Sequence, residues 1–93
     1  MEVRFSESSL EDLRSIRDYI CANNEEAAKK VVSHILEQVE TILALNPAIG
    51  RAGRVLRTRE FVISKYPYIL PYQVRENTLY ILRVLHTSRK WTI

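Results

Sequence analysis

Residues 68–85 read YILPYQVRENTLYILRVL, and this stretch decides the fold. Tyr68, Leu70, Tyr72 and Val74 fall on alternate positions, so they share one face of a strand. Arg75-Glu76-Asn77-Thr78 has the composition of a tight hairpin turn. Leu79 to Leu85 is nearly all apolar, as expected of a central strand covered on both sides. Upstream, Phe61 and Ile63 alternate with polar neighbours before Lys65-Tyr66-Pro67 bends the chain. The second half of the sequence is therefore expected to be three strands in succession.

The first half has a different period. Glu2 to Ser6 alternates Val3 and Phe5 with polar residues, the pattern of a short half-buried strand. Ser8 and Glu11 fit a capping box at a helix start. Leu10, Leu13, Ile16 and Ile20 then recur at helical spacing to about Ala22, leaving Glu11, Asp12, Arg14 and Asp18 on the outer face. Asn23 is placed to cap a second helix, with Glu25 and Glu26 in the first turn where the helix dipole favours them. Ala28, Val31, Val32, Ile35, Val39, Ile42 and Leu43 follow at spacings of three and four. This helix is expected to run to about Leu45, because Pro47 in Asn46-Pro47 cannot continue it. The expected order is β-α-α-β-β-β: an α+β fold, with a helical hairpin packed on a small, mainly antiparallel sheet.

Composition narrows the class. With 93 residues, 46% of them hydrophobic and 27% charged, there is material for one small core, so residues 1–93 are expected to form a single domain. Folding at this size hides only about 60–65% of the unfolded chain's surface, so the core is thin. Apolar runs are a few residues long, against the roughly 20 needed to span a bilayer. The start, Met1-Glu2-Val3-Arg4, has no secretory pattern, and a cytoplasmic location is the expectation. Cys21 is the only cysteine and is expected to be a small buried hydrophobe. His34 and His86 are far apart and have no acidic cluster of ligand spacing beside them, so neither a metal nor a cofactor is expected.

Charge is unevenly divided. Residues 1–50 carry nine acids and five bases, whereas residues 51–93 carry nine bases and two acids, giving −4 and +7 and the overall +3. Such a split suggests an acidic partner for the second half. Gly50-Arg51-Ala52-Gly53-Arg54 lacks the spacing of a phosphate-binding loop. Its glycines are expected to take positive φ and let Arg51 and Arg54 project outward, so that replacing both arginines leaves folding intact. Serines 6, 8 and 9 have a capping explanation, and the second half holds too few acids for a carboxylate pair. A target-binding set remains: Arg51, Arg54, Arg59, Arg83, His86, Arg89, Lys90 and Trp91. Guanidinium groups can hold phosphates, and an aromatic ring can stack on a base. His86 with Arg59 and Arg83 forms the only candidate catalytic group, for cleavage by attack of a ribose 2′-hydroxyl.

Several stretches together resemble a family. These are Ser6…Leu10…Asp12-Leu13…Ile16…Tyr19-Ile20, then Asn46-Pro47…Gly50-Arg51…Gly53-Arg54, Arg57-Thr58-Arg59-Glu60-Phe61-Val62, Tyr66-Pro67-Tyr68-Ile69-Leu70…Tyr72, and Ile81-Leu82-Arg83-Val84-Leu85-His86…Arg89…Trp91. In order and spacing they resemble the RelE/ParE superfamily of toxins from bacterial type II toxin–antitoxin systems. The resemblance covers essentially the whole chain. It implies a strand–helix–helix–three-strand fold, and growth inhibition held off by a cognate antitoxin in a hetero-oligomer. Contacts to that antitoxin are expected from Leu13, Ile16, Tyr19, Ile20, Tyr68 and Tyr72.

The superfamily divides by target. RelE-like members cut mRNA on the ribosome, and ParE-like members poison DNA gyrase. Matching the tyrosine of the RelE-like strand to Tyr72 puts Ile69 where those nucleases carry an arginine, and Arg57, Arg59 and Lys65 match their other bases only loosely. ParE-like members commonly have an aliphatic residue there. The resemblance thus implies a gyrase-binding toxin. The alternatives are a ribosome-dependent mRNA interferase and a non-toxic module that only binds antitoxin.

Overall fold

The computed structural model of the protein describes residues 1–88. Its elements are β1 (Glu2–Phe5), α1 (Glu7–Cys21), α2 (Glu25–Gln38) with a π-helical turn at Val39–Leu43, β2 (Arg51–Ala52), β3 (Arg59–Val62), β4 (Tyr68–Arg75), β5 (Thr78–Ile81) and β6 (Leu85–His86). The strands form one sheet in the order β1-β5-β4-β3-β2, with β6 also pairing β4. All pairs are antiparallel except β1 with β5, which the two intervening helices return in parallel. The expected α+β architecture is observed, with the two-residue strand β2 added between the helices and β3.

One apolar layer lies between helices and sheet. Leu13 of α1 and Val31, Ile35, Val39 and Leu43 of the second helical segment meet Phe61, Leu70, Tyr72, Leu79 and Ile81 from the strands. Ile16 and Ile20 pack against this core from its margin, whereas Leu10, the first residue of the expected stripe, is exposed. Cys21, the last residue of α1, is also exposed, contrary to expectation. Between β4 and β5, Glu76 and Asn77 both have positive φ, 48° and 60°. That is the geometry of a type I′ hairpin turn, and the expected turn at 75–78 is present.

Helix starts lie one or two residues from where they were expected. Ser6, not Ser8, caps α1: its Oγ accepts from Ser9 N–H at 3.0 Å, and Ser9 Oγ donates to Ser6 O at 2.8 Å. Ser6 wins because its own N–H continues the sheet by donating to Ile81 O, which fixes where strand ends and helix begins. Asn24, not Asn23, caps α2 through Oδ1 to Ala27 N–H at 3.0 Å. Regular α-helix stops at Gln38 instead of Leu45. There the Thr41 hydroxyl bonds back to Glu37 O, and Ala44 N–H reaches Val39 O, a wider turn that keeps Val39 and Leu43 both in the core.

The expected continuous strand from Leu79 to Leu85 is broken. Ile81 pairs with Tyr72 and Leu85 with Ile69, so Leu82, Arg83 and Val84 stand opposite only Leu70 and Pro71. This is a bulge, and proline explains its place: Pro71 O accepts from Leu82 N–H at 2.8 Å, but Pro71 has no N–H to return. The residues freed from the ladder are satisfied by the start of α1. Ser6 Oγ donates to Leu82 O at 2.8 Å. Asp12 accepts from Val84 N–H at 2.9 Å and from Arg83 Nε and Nη2 at 2.7 and 2.9 Å.

Asp12→Ala should therefore leave a guanidinium and a backbone N–H without partners in a partly buried place, a loss of about 2–3 kcal/mol. Asp12→Asn, which keeps one acceptor, should lose less. Urea unfolding of the two variants beside the parent chain measures the difference.

Candidate functional site

The basic stretch 51–59 is folded around one acid. Glu60 is only 3% exposed at its side chain, and Arg51 lies over it with Nε and Nη2 at 3.3 and 3.2 Å from Oε1. Arg54 donates its backbone N–H to Oε2 at 3.1 Å and brings Nε to 3.8 Å. Burying a carboxylate is costly unless charge and hydrogen bonds compensate it, and these two arginines supply both. Arg51 and Arg54 are thus not simply projected outward, as the sequence suggested, although each keeps about half its side chain exposed (57% and 52%).

The glycines serve close approach rather than positive φ, which neither adopts. A Cβ at Gly50 would sit 2.5 Å from the Tyr72 hydroxyl, and one at Gly53 would collide with the Thr58 side chain. Tyr72 uses that approach. Its Oη accepts from Gly50 N–H at 2.8 Å and donates to Pro47 O at 2.8 Å, tying the loop after the helices to β4. Arg59 finishes the seam by donating from Nη1 to Gly50 O at 2.8 Å and Ala48 O at 3.2 Å. Burial pushes the Tyr72 phenol up, offset in part by the Gly50 N–H and the Arg59 charge.

The three residues of the candidate catalytic group have separate duties. Arg59 holds loop carbonyls, and Arg83 is bound twice to Asp12, whose hydrogen bond raises the arginine's pKa. His86 is exposed at the end of β6, with Nδ1 2.7 Å from Ser88 Oγ and accepting from Ser88 N–H, and its ring meets Tyr68 edge-on at 5.6 Å. Arg89, Lys90 and Trp91 of the target-binding set lie outside the described residues. Ile69 is buried between Val62 and Leu85 in the sheet register, so no cation stands at that position.

Of the six side chains expected to contact an antitoxin, Leu13, Tyr68 and Tyr72 are core residues with almost no surface to offer. Ile16 and Ile20 are half-buried at the margin of α1, and Tyr19 is 81% exposed. Among the described residues no helix is long and apolar enough to cross a membrane, and no cluster of metal-ligating side chains forms. The residue missed by sequence reasoning is Glu60. It is the lone acid between Arg51 and Lys65, and its place between arginines was the available signal.

A two-helix layer on a mixed sheet agrees with the fold that the family resemblance implies. Residues 3–91 match the family model described as ParE toxin of type II toxin-antitoxin system, parDE, and the chain belongs to that family. It is 38% identical over 89 residues to the Sinorhizobium fredii protein named "Putative toxin Y4kP", covering 96% of this chain and 91% of that one. It is 32% identical over 81 residues to toxin RelE2 of Caulobacter vibrioides, covering 87% and 89%. Among solved structures, a chain of the chromosomal ParDE TA system from P. aeruginosa superposes with a TM-score of 0.84 at 26% identity, covering 95% of this chain and 97% of that one.

Two outcomes follow from the seam and the buried acid. Replacing Arg51 and Arg54 together by Ala should destabilise the fold by about 1–3 kcal/mol, and adding Glu60→Gln should recover part of that loss, since a neutral amide needs no counter-charge; denaturant midpoints of the double and triple variants decide it. Tyr72 holds its proton more tightly folded than unfolded, so the unfolded chain binds fewer protons above the ordinary tyrosine value of about 10. Its contribution is full below that pH and lost as pH rises through the higher folded value. Tyr72→Phe should lack this part of the alkaline decline when unfolding is followed from about pH 8 to about pH 11.

Proposed function

We propose that this chain is a growth-inhibiting toxin that acts in the cytosol by binding DNA gyrase, without cutting a nucleic acid, and that a cognate antitoxin neutralises it. The observation that carries this reading is the use already made of the arginines. Cleavage by a ribose 2′-hydroxyl without a metal needs cations free to meet the phosphorane, and each missing donor in such a site costs about 100-fold or more. Arg83 is engaged by Asp12 and Arg59 by two backbone carbonyls. On the match that the family resemblance implies, Ile69 takes the place where RelE-like nucleases carry an arginine. A binding toxin asks only for an exposed complementary surface, which spares the engaged arginines any further role.

Membership of the parDE toxin family and the likeness to a ParDE chain support a partner antitoxin. Its segment is expected over the margin of α1, where Tyr19 is exposed and Ile16 and Ile20 are half-covered, with the buried Leu13, Tyr68 and Tyr72 backing that surface from beneath. The name of the Caulobacter relative keeps mRNA cleavage as the competing reading.

Purified protein added to a gyrase supercoiling assay should block supercoiling. Added to a reconstituted translation reaction, it should leave the mRNA intact. Cut mRNA beside unimpaired supercoiling would reverse the assignment and return His86, Arg83 and Arg59 to consideration.

A further inference from the structure

Between β2 and β3 the chain makes a tight turn over Val55–Thr58. Thr58 N–H donates to Val55 O at 3.2 Å and Thr58 Oγ1 to the same oxygen at 2.7 Å, which places Leu56 and Arg57 at the two central positions. Only the second of these has a positive φ, 67° at Arg57. That is the pattern of a type II turn, whose third position favours glycine. The turn is held from behind as well. Gly53 N–H donates to Thr58 O at 2.9 Å, and Arg54 N–H reaches the buried Glu60 at 3.1 Å.

A rigid turn therefore holds an arginine where glycine is cheaper, next to Leu56, which is 84% exposed. Neither side chain contributes to the core. Arg57 is also unlike the other bases of the second half. Arg51, Arg54, Arg59 and Arg83 bond within the fold, and Lys65 and Arg75 lie over the rings of Tyr66 and Tyr80. Among the lysines and arginines of the described residues 51–88, Arg57 alone has no side-chain hydrogen bond, ion pair or ring contact. Backbone strain kept in place by its surroundings points to use of the residue displayed there.

We propose that this turn is the knob by which the toxin engages its target protein, with Leu56 entering an apolar socket and Arg57 meeting an acidic rim. The inference rests on the gyrase reading and assigns a surface to it. A convex, preordered knob fits a concave surface on a folded partner and loses little entropy on docking. An antitoxin segment that orders on binding instead fills grooves on the toxin and brings no socket of its own. A nucleic acid would use the arginine and have no use for the leucine.

The test compares the parent chain with Leu56→Ala, Leu56→Glu and Arg57→Gly in thermal unfolding, in capture by the cognate antitoxin and in gyrase supercoiling. Arg57→Gly relieves the positive φ, so it should melt no lower than the parent and still need at least about tenfold more protein to inhibit supercoiling, as should both Leu56 variants. All three should be captured by the antitoxin as well as the parent is. Unchanged inhibition by Arg57→Gly and Leu56→Ala would overturn the knob and leave the gyrase reading standing. Loss of antitoxin capture with unchanged inhibition would give the turn to the antitoxin instead. A parent chain that leaves supercoiling untouched would overturn both the gyrase reading and this surface.

Discussion

The carboxylate of Asp12 accepts three hydrogen bonds from a break in the sheet, and the packing of the fold depends on it. The break exists because Pro71 sits in the middle of the longest strand with no N–H to give. A proline there would ordinarily exclude a central strand. Here the opposite strand gains one residue at 82–84, and that gain frees Val84 N–H and turns Arg83 toward α1. Asp12 meets both groups, while Ser6, one and a half turns earlier, meets Leu82 O and Ile81 O. The first helix is thus fastened to the sheet by polar groups that the sheet itself could not satisfy. Its apolar side needs only Leu13 fully inside, with Ile16 and Ile20 at the edge.

A second polar arrangement fastens the other end of the sheet. The loop that leaves the helices is sewn to β4 and β3 by Tyr72 and Arg59, and the turn that follows is anchored on Glu60. Both arrangements place a charged or phenolic group in a low-dielectric setting and satisfy it nearly completely, the condition under which such groups rigidify a small protein instead of weakening it. With so thin a core, order in the irregular segments comes from these bonds more than from apolar area.

This division explains which features could be read from the residues. Local chemistry was legible: the Glu76-Asn77 turn, most of the two helical stripes and the change of period after Pro47 follow from neighbours in sequence, whereas the end of regular helix at Gln38 did not. Features that depend on distant partners were not. Asp12 and Arg83 are 71 positions apart, and nothing in either neighbourhood announces their pairing. Ser8 with Glu11 is the better capping box on paper, but Ser6 caps α1 because the end of β1 is fixed by Ile81. The cluster Arg51 to Arg59 reads as a solvated cationic patch until Glu60 is seen to be buried. Pro71 was the one local sign of the bulge, and the apolar run opposite it concealed the consequence.

The same division bears on the chemistry. An arginine that holds the fold together is not free to reorient, and in this chain Arg83 gives Nε and Nη2 to the Asp12 carboxylate while Arg59 gives Nη1 to two backbone carbonyls, so turning either toward another group would cost the bonds it now makes. Freeing Arg83 for a phosphate would strand Asp12 and reopen the bulge, so a nuclease role would compete directly with the attachment of α1. Arg57 carries no such conflict, because it closes no seam and satisfies no buried acid. In a domain this small most cations have a structural partner. Among the described bases of the second half Arg57 lacks one, so a contact made through it would leave the fold's own bonds intact.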